Sequence, residues 1–353
     1  MRILMITDNY PHKDRPYITT FFHDHAKVLG RIGEVKVITL IRTNRFGYRR
    51  YVWEGIPVEA MLIPYVPRMG LIFFPLSLIA HTLLLLKNLM TFKPDAVVVH
   101  MGLPAGIPPA VLLKGRFILV EHSTIFARGK NALLSRFVMS RSGKVLAVSR
   151  FLGSEIERTL KVKVSGVLPN PVFGCSEAYP FKSTRRLLFV GRITPLKDPV
   201  LLKEAARLLP GYRFTFVGGR GVGWYVSEFL RYLPPNCEYL GPLPRDKVLE
   251  LLRESDMLVS TSKYETFGVA IAEALSCGKP VVWTDSGGPR DFLNGRNSVL
   301  VKERTPSAFA EAIEEAYEKL RSGYFNPEEI RRGILSHASP ERVAAIYRRF
   351  LLS

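Results

Sequence analysis

Short apolar runs alternate with helical stretches along the whole chain, and this alternation restricts the fold more than any other feature. The candidate strands of the first series are Ile3–Ile6, Val35–Leu40, Ala96–His100, Phe117–Val120, Val145–Val148 and Val164–Leu168. After a polar break come Leu187–Val190, Phe214–Val217, Met257–Ser260 and Val281–Trp283. Runs of this length with no polar alternation mark strands buried on both faces, as in parallel sheets covered by helices. Two series predict an α/β chain with two doubly wound, Rossmann-like parallel-sheet domains. The length of 353 residues, beyond the size at which one core stops growing, agrees. The predicted division is 1–170 for an N-terminal domain, 171–184 for a Pro/Ser/Gly-rich linker and 185–339 for a C-terminal domain.

Hydrophobic residues at 47% and charged residues at 23% exclude extensive disorder. Cys175, Cys237 and Cys277 lack metal-ligand spacing and leave one over after any pairing, which fits reduced thiols in a cytoplasmic compartment. The opening run Arg2–Asp8 is too short in its apolar part for a signal peptide and reads as a buried first strand. The absence of glutamine beside many Lys, Arg and Glu is a composition of heat-adapted proteins. The net charge of +19 is uneven: residues 1–170 hold 24 Lys/Arg against 10 Asp/Glu, and residues 171–353 hold 26 against 21. A basic first half suits nucleic acid, an anionic membrane surface or a phosphorylated substrate, and also an ordinary solvated surface. The segment Leu71–Leu86 is the most apolar, yet at 16 residues it falls short of the ~20 needed to span a bilayer. It predicts a buried or partly exposed helix, with shallow membrane docking as the alternative.

The chemistry collects at the carboxyl ends of the second series of strands, where open parallel sheets bind ligands. Gly191-Arg192-Ile193-Thr194-Pro195-Leu196-Lys197-Asp198 follows Leu187–Val190 directly. Gly191 permits close backbone approach, and Arg192 and Lys197 bring two cations. Such a pair suits a diphosphate whose charge rises as a bond to it breaks; an ordinary basic loop is the plain alternative. The turn Gly218-Gly219 after Phe214–Val217 can bring amides to an anion, although glycine turns are also common connectors.

The segment Ser262–Gly278 says more. Glu265 sits in a loop, a helix begins near Gly268, and Gly278 ends it as a C-terminal glycine does. Glu273 lies inside that apolar, small-residue helix and needs a partner, because burying it unpaired is costly. At ~1.5 Å rise per helical residue, Glu265 and Glu273 stand roughly 10 Å apart, a separation that fits two hydroxyl-bearing rings joined by a diphosphate. The free amides of Phe267, Gly268 and Val269 form an anion site between them. A structural ion pair from Glu273 to a neighbouring strand is the other reading. A further strand ends in Gly287-Gly288-Pro289-Arg290-Asp291, so three loops converge on one sheet edge.

With these residues the chain resembles the family-4 glycosyltransferases, retaining enzymes of GT-B fold. The family's Glu-x7-Glu signature is matched by Glu265 and Glu273, its Gly-Arg…Lys loop by Gly191, Arg192 and Lys197, and its Gly-Gly-x-x-acid turn by Gly287, Gly288 and Asp291, with Asp where Glu is usual. The resemblance implies two domains facing a cleft, and a C-terminal stretch, 340–353, that returns to the first domain. It implies that Arg192 and Lys197 hold the donor diphosphate, Glu273 the ribose and Glu265 the donor sugar. His122, after the strand Phe117–Val120, would reach the donor sugar; with Glu265, Arg192 and Lys197 it makes up the implied catalytic set. Gly218, Gly219, Phe267, Gly268 and Val269 complete the donor site. Acceptor-side candidates are His100, Tyr10, His12 and Thr19; the loop that carries the last three lacks the glycine pair usual in the family. Asn170-Pro171-Val172 stands where the family has Asn-Gly-Val.

The sequence has no Asp-x-Asp pair, so a metal-free leaving-group clamp and no cofactor are expected. The implied reaction moves a sugar, a hexose by the family pattern, from a nucleotide sugar to an acceptor with retention. Domains would close over it, since His122 and Glu265 lie in different halves. The basic first half and Leu71–Leu86 favour a lipid-linked or phosphorylated acceptor and a cytoplasmic location at the inner membrane face. A soluble sugar or sugar phosphate is the alternative acceptor. Two other classes compete: a basic nucleic-acid-binding protein, supported by charge alone with no specific recognition motif, and a catalytically silent nucleotide-sugar sensor.

Overall fold

The computed structural model describes residues 1–64, 70–124, 129 and 131–352. The chain divides into two compact units, Met1–Pro171 with Pro340–Ser353, and Val172–Ser339. In the first unit lie β1 (Arg2–Thr7), β2 (Glu34–Thr43), β3 (Gly47–Trp53), β4 (Ile56–Pro64), β5 (Ala96–His100), β6 (Ile118–Glu121), β7 (Lys144–Ala147) and β8 (Gly166–Val167). Their order in the sheet is β3-β4-β2-β1-β5-β6-β7-β8, and every neighbouring pair except β3–β4 is parallel. Between β2 and β5, the residues Ile3, Leu4, Met5 and Ile6 of β1 are fully buried, as a run apolar on both faces requires.

The second unit holds β9 (Arg186–Val190), β10 (Arg213–Val217), β11 (Cys237–Gly241), β12 (Met257–Ser260), β13 (Val281–Thr284) and β14 (Ser298–Val301). They run parallel in the order β11-β10-β9-β12-β13-β14. The connection order reverses between β9 and β12, the switch point where such sheets open a crevice. The loops after those two strands carry Lys197 and Glu265. Thus both domains are doubly wound α/β units, as the alternation predicts.

Helices cover the sheets. They are α1 (Thr20–Gly30), α2 (Gly70–Thr91), α3 (Ile107–Leu112), α4 (Asn131–Ser140), α5 (Arg150–Leu160), α6 (Pro199–Arg207), α7 (Gly223–Leu230), α8 (Arg245–Glu254), α9 (Val269–Ser276), α10 (Pro306–Arg321), α11 (Pro327–Ala338) and α12 (Pro340–Leu351). The last belongs to the first unit, where Arg31 pairs with Glu341 at 2.7 Å and the Tyr347 ring is fully buried.

The structure departs from the sequence expectations in five places. Strands β3, β4, β11 and β14 escape a search for continuous apolar runs. In β3, side chains alternate between half-buried and exposed, the pattern of an edge strand with one wet face. Glu54 and Gly55 both take positive φ, 42° and 83°, the two-residue turn that suits a twisted hairpin. The run Val164–Leu168 shrinks to the two residues of β8.

Helix α2 is longer than the predicted 16-residue segment. Its stretch Phe73–Thr91 is long and apolar enough to cross a membrane by length and composition, with mean hydropathy 1.5. Lys87 and Asn88 extend it instead of ending it, because both donate to Glu59 of β4, at 2.8 Å and 3.2 Å. Ala80, Leu84 and Leu85 bury one face while Ile79, Leu83, Leu86 and Met90 stay exposed. The side chains of residues 70–72 lie outside the described set.

Residues 172–184 are part of the second unit rather than a free linker. Tyr179 N donates to Cys277 O at 3.0 Å, and Lys182 N to Asp256 Oδ1 at 3.1 Å. Cys175 is bonded to Cys277, correcting the expectation of three reduced thiols. The partners lie 102 residues apart, so their spacing conceals the pairing until the end of α9 meets the incoming chain. Cys237 stays a thiol, pushed up to about 12 by burial. Cross-linking a loop of this length restricts the unfolded chain, so Cys277→Ala should cost about 2–4 kcal/mol. The check is the urea midpoint under non-reducing conditions: a clear drop is expected, and an unchanged midpoint would mean the thiols do not pair.

Candidate functional site

Backbone hydrogen bonds stitch four loops of the second unit together at the carboxyl edge of its sheet. Gly191 N donates to Val217 O at 2.9 Å and Ile193 N to Gly219 O at 3.0 Å. Lys263 N donates to Leu196 O at 2.8 Å, Glu265 N to Ser286 O at 2.7 Å and Gly288 N to Glu265 O at 2.8 Å. Two glycines make this closeness achievable. A Cβ at Gly218 would stand 2.0 Å from Gly191 O, and one at Gly288 would stand 2.2 Å from Thr266 O. Any side chain at either position would push the loops apart.

The charged groups follow from this stitching. Lys197 Nζ forms a close ion pair with Glu265 Oε1, and Ser262 Oγ donates to the same oxygen at 2.7 Å. Arg192 is exposed and has no ion-pair partner among the described residues. The Glu273 carboxylate, only 7% exposed, meets Arg245 Nε at 2.8 Å. So the expected partner exists, but it is the first residue of α8 and not a residue of a strand. The pair offsets a desolvation cost of several kcal/mol per ion. Helix α9 starts after Gly268, at φ 91°, with no side chain capping its first amides. Gly278, at φ 76°, ends it. Phe267 is buried against Phe292 and His337, which holds its amide at the mouth of that helix. Tyr239 donates its hydroxyl to Gly218 O at 2.8 Å and so fixes the Gly218-Gly219 turn.

Sequence reasoning passed over the groups that hold these residues. Arg304 donates to Asp198 Oδ2 and Thr261 O at 2.8 Å each and to Thr284 Oγ1 at 3.0 Å. Tyr225 donates to Asp198 Oδ1 at 2.6 Å. Arg304 thereby ties the loops after β9 and β12 to the end of β13, but neither it nor Tyr225 belongs to a motif. Only the adjacency of Arg304 to the end of β14 hints at it.

In the first unit, Glu121 places His122. Its buried carboxylate accepts from Gly102 N at 3.0 Å and from His122 N and Ser123 N at 3.1 Å each. Burial raises the Glu121 carboxyl, against the opposing pull of those backbone donors. His122 in turn meets His100 Nδ1 at 2.8 Å through its Nε2. The acceptor-side candidates fare differently. His100 is fully buried, and its ring nitrogens meet His122 and Tyr347. Tyr10 is buried as well, with its hydroxyl on His23 Nδ1 at 2.7 Å and its own ionisation pushed far up by burial. His12 is 7% exposed beside Asp14 at 3.6 Å. Thr19 precedes α1 at φ 47° and donates to Asn9 O at 3.4 Å.

Among the described residues, one group of side chains has the mutual spacing of metal ligands: His25, His100 and His122, whose ligand atoms lie within 4.8 Å of one another. No carboxylate belongs to the group, and every ring nitrogen in it except His122 Nδ1 already faces a hydrogen-bond partner.

The Arg304 clamp gives a prediction. Arg304→Ala removes hydrogen bonds to a carboxylate and two other oxygens in a half-exposed setting, worth about 1.5–3 kcal/mol. Urea unfolding should show that loss together with weakened ligand binding at the Lys197 loop; an unaltered midpoint would count against the clamp.

Comparisons with known proteins agree with this geometry. Residues 177–322 match the family model described as glycosyl transferases group 1, and residues 18–172 match glycosyltransferase family 4. The chain is 32% identical over 165 residues to the D-inositol 3-phosphate glycosyltransferase of Mycolicibacterium gilvum, covering 44% of this chain and 36% of that relative. The match thus spans about a third of the relative's length. It is 26% identical over 351 residues to the putative teichuronic acid biosynthesis glycosyltransferase TuaC of Bacillus subtilis, covering 89% of this chain and 88% of TuaC. Among solved structures, HepE of Anabaena in complex with UDP and glucose superposes with a TM-score of 0.75 at 18% identity, over the whole of both chains.

Proposed function

We propose that this chain, which belongs to the family-4 glycosyltransferases, transfers a sugar, a hexose by preference, from a nucleoside diphosphate to an acceptor hydroxyl with retention of anomeric configuration. The observation that carries this reading is the pairing of Lys197 with Glu265 and of Arg245 with Glu273 on loops held together at the sheet's switch point. In the reading, Glu273 accepts from the ribose hydroxyls and Glu265 from those of the sugar. Arg192, Lys197 and the amides of Phe267, Gly268 and Val269 take the diphosphate, with Gly218 and Gly219 lining the turn beside it. The bond between the anomeric carbon and the phosphate oxygen breaks as the acceptor oxygen attacks from the same face, and the acceptor's proton passes to the departing diphosphate. Cations and dipoles aimed at that leaving group supply the catalysis, a kind of stabilisation in which one donor is worth about 2.7–4 kcal/mol. No metal or cofactor is part of the proposal. UDP and UDP-glucose are what HepE holds in its solved complexes, and they are the first donors to try.

Lys197→Ala and Glu273→Ala should each lower turnover of the preferred sugar nucleotide at least 100-fold, with folding unchanged by circular dichroism. Full activity in either variant would sink the site assignment, and absence of turnover in the wild type with every sugar nucleotide would favour the silent-sensor reading.

For the acceptor, the proposal is a lipid-linked or phosphate-bearing molecule met at an anionic membrane. The exposed side chains Ile79, Leu83, Leu86 and Met90 recur at helical spacing along α2 and form one stripe. Val111 and Leu112 on α3 and Leu133 and Leu134 on α4 are also exposed, and α3 packs against both α2 and α4. Exposed apolar surface of this extent marks a contact site on an otherwise soluble fold. Residues 70–143 carry eight Lys/Arg against two Asp/Glu, one of them the buried Glu121. Each cation near an anionic surface adds about 1 kcal/mol. A cytoplasmic location, at the inner face of the membrane, goes with this reading. The Cys175–Cys277 bond is compatible with it in heat-adapted organisms, whose intracellular proteins are disulfide-rich. Vesicles containing anionic phospholipid should float the wild type, and L83E/M90E should reduce the floated fraction about 10-fold. Equal flotation, or none with the wild type, would favour a soluble acceptor.

A further inference from the structure

Three cations of the first unit converge on one carboxylate. Glu59 of β4 is buried, and Arg50 stands opposite it in the antiparallel pairing of β3 with β4. Lys36 lies two residues before Ile38, the β2 partner of Glu59, and so shares its face of the sheet. Lys87 comes from α2. Its Nζ donates to Glu59 Oε2 at 2.8 Å, and Asn88 Nδ2 donates to the same oxygen at 3.2 Å. Lys36 Nζ and Arg50 Nε stand 3.5 Å and 3.7 Å from Glu59 Oε1. Arg50 Nε donates to the Tyr48 hydroxyl at 2.7 Å, and Lys87 Nζ meets that hydroxyl closely. The Tyr48 ring centre lies 4.4 Å from Lys87 Nζ, and the Phe92 ring centre lies 4.8 Å from Lys36 Nζ. Among the described residues, Glu59 is the only acid within ion-pair distance of any of the three cations.

Glu59 does not neutralise this set. Burial pulls its carboxyl up, but hydrogen bonds from Lys87, Tyr48 and Asn88 outweigh burial and hold it down to about 2. It is therefore ionised near pH 7, and one negative charge faces three positive ones. Lys87 and Asn88 already serve it at hydrogen-bond distance. Lys36 and Arg50 stand farther off, and the Arg50 Nη groups have no hydrogen bond among the described residues. Beside these unspent donors the surface opens into a cleft of about 490 Å³, lined by Lys36, Arg50, Glu59, Val52, Pro57 and Thr91. Pockets for small ligands measure roughly 300–1,000 Å³. A cleft with an excess of one charge sign concentrates counter-ions. Exposed apolar side chains flank it: Leu83, Leu86 and Met90 near Lys87 on α2, and Tyr48 and Val52 on either side of Arg50 on β3.

We propose that this cleft is a phosphate-binding site, with Arg50 and Lys36 as direct donors and Lys87 as a fixed charge behind them. It takes a phosphate ester, and its apolar rim favours the headgroup of an anionic phospholipid as the source. The two Nη groups of Arg50 offer the planar fork that matches two phosphate oxygens, and Lys36 adds a further charged donor from the neighbouring strand. Apolar side chains around the cations suit the boundary where headgroups meet acyl chains. Glu59 keeps the cations gathered when no anion is bound, and its charge weakens the binding it prepares. The site lies wholly within the first unit and uses none of the residues proposed for transfer. Its lipid source rests on the membrane reading above; its phosphate chemistry does not.

The test uses the full chain in about 0.15 M NaCl, where exposed charges more than a Debye length apart are largely screened. Calorimetry with sn-glycerol 3-phosphate reads the phosphate chemistry. Sedimentation with phosphatidylcholine vesicles, with and without phosphatidic acid, reads the lipid source. K36Q/R50Q should weaken saturable binding about 10-fold or more. K114Q/K163Q removes the same charge from exposed lysines elsewhere in the unit and should stay within about 2-fold of wild type. Glu59→Gln should tighten binding about 3-fold or more, a gain that misfolding does not produce. Effects on phosphatidic acid vesicles assign the headgroup; effects on glycerol phosphate without any on vesicles assign a soluble ester. Equal losses in the two double variants would overturn the proposal, since diffuse charge would then explain the binding. So would the absence of saturable binding of both probes, or a Glu59→Gln chain with intact circular dichroism that binds no more tightly. If the wild type ignores vesicles, the membrane reading fails, while glycerol phosphate still decides the site.

Discussion

The backbone pairing of Glu265 with Ser286 and Gly288 fixes where the charged groups of the second unit stand. That pairing needs Gly288, whose missing side chain lets Thr266 O approach. Once the loop is held, Ser262 and Lys197 converge on the Glu265 carboxylate, and α9 begins where its uncapped amides face the same edge. Asp198 and Arg304 lock the neighbouring loops underneath. Lys197 and Glu273 each face an opposite charge, in Glu265 and Arg245. On the proposed reading these fixed charges and dipoles are preorganised for a diphosphate leaving group.

The first unit follows a different rule. Its polar centre is built of hydrogen bonds rather than ion pairs: three imidazoles, a phenol and an amide meet in a buried path, and the Glu121 carboxylate beside it is tied down by backbone amides. Buried polar networks are costly when partly satisfied. Here His122 Nδ1 is the one ring nitrogen of the path without a hydrogen-bond partner among the described residues. The helices with the exposed apolar side chains, α2, α3 and α4, carry only Lys87 and Arg136, and most of the unit's charge lies in its strands and loops.

Much of this was legible in the sequence where the signal is local. Continuous apolar runs located β1, β5, β9, β10, β12 and β13, because strands buried on both faces admit no polar residue. Arg192, Lys197 and Glu265 in loops and Glu273 in α9 stood out by their spacing together with the family resemblance. What escaped was either alternating or long-range. Strand β3 alternates because one face is wet, so it does not read as a run. Cys175 finds Cys277, Tyr347 finds His25, and Arg304 finds Asp198 across 102, 322 and 106 residues, and no local pattern marks such pairs. His100 and Tyr10 were plausible substrate contacts by position at strand ends. Burial spends both on internal hydrogen bonds, a fact that depends on α12 and α1 folding over them.

The central claim is that the groups gathered around Glu265 and Glu273 move a sugar from a nucleoside diphosphate without changing the face of its anomeric carbon. Proton NMR of a single reaction tests it most directly, following the donor's anomeric signal as it is replaced by that of the product. The account predicts consumption of one sugar nucleotide and a product glycoside with the donor's own anomeric configuration. An inverted product, or no consumption of any sugar nucleotide by the intact chain, would contradict it.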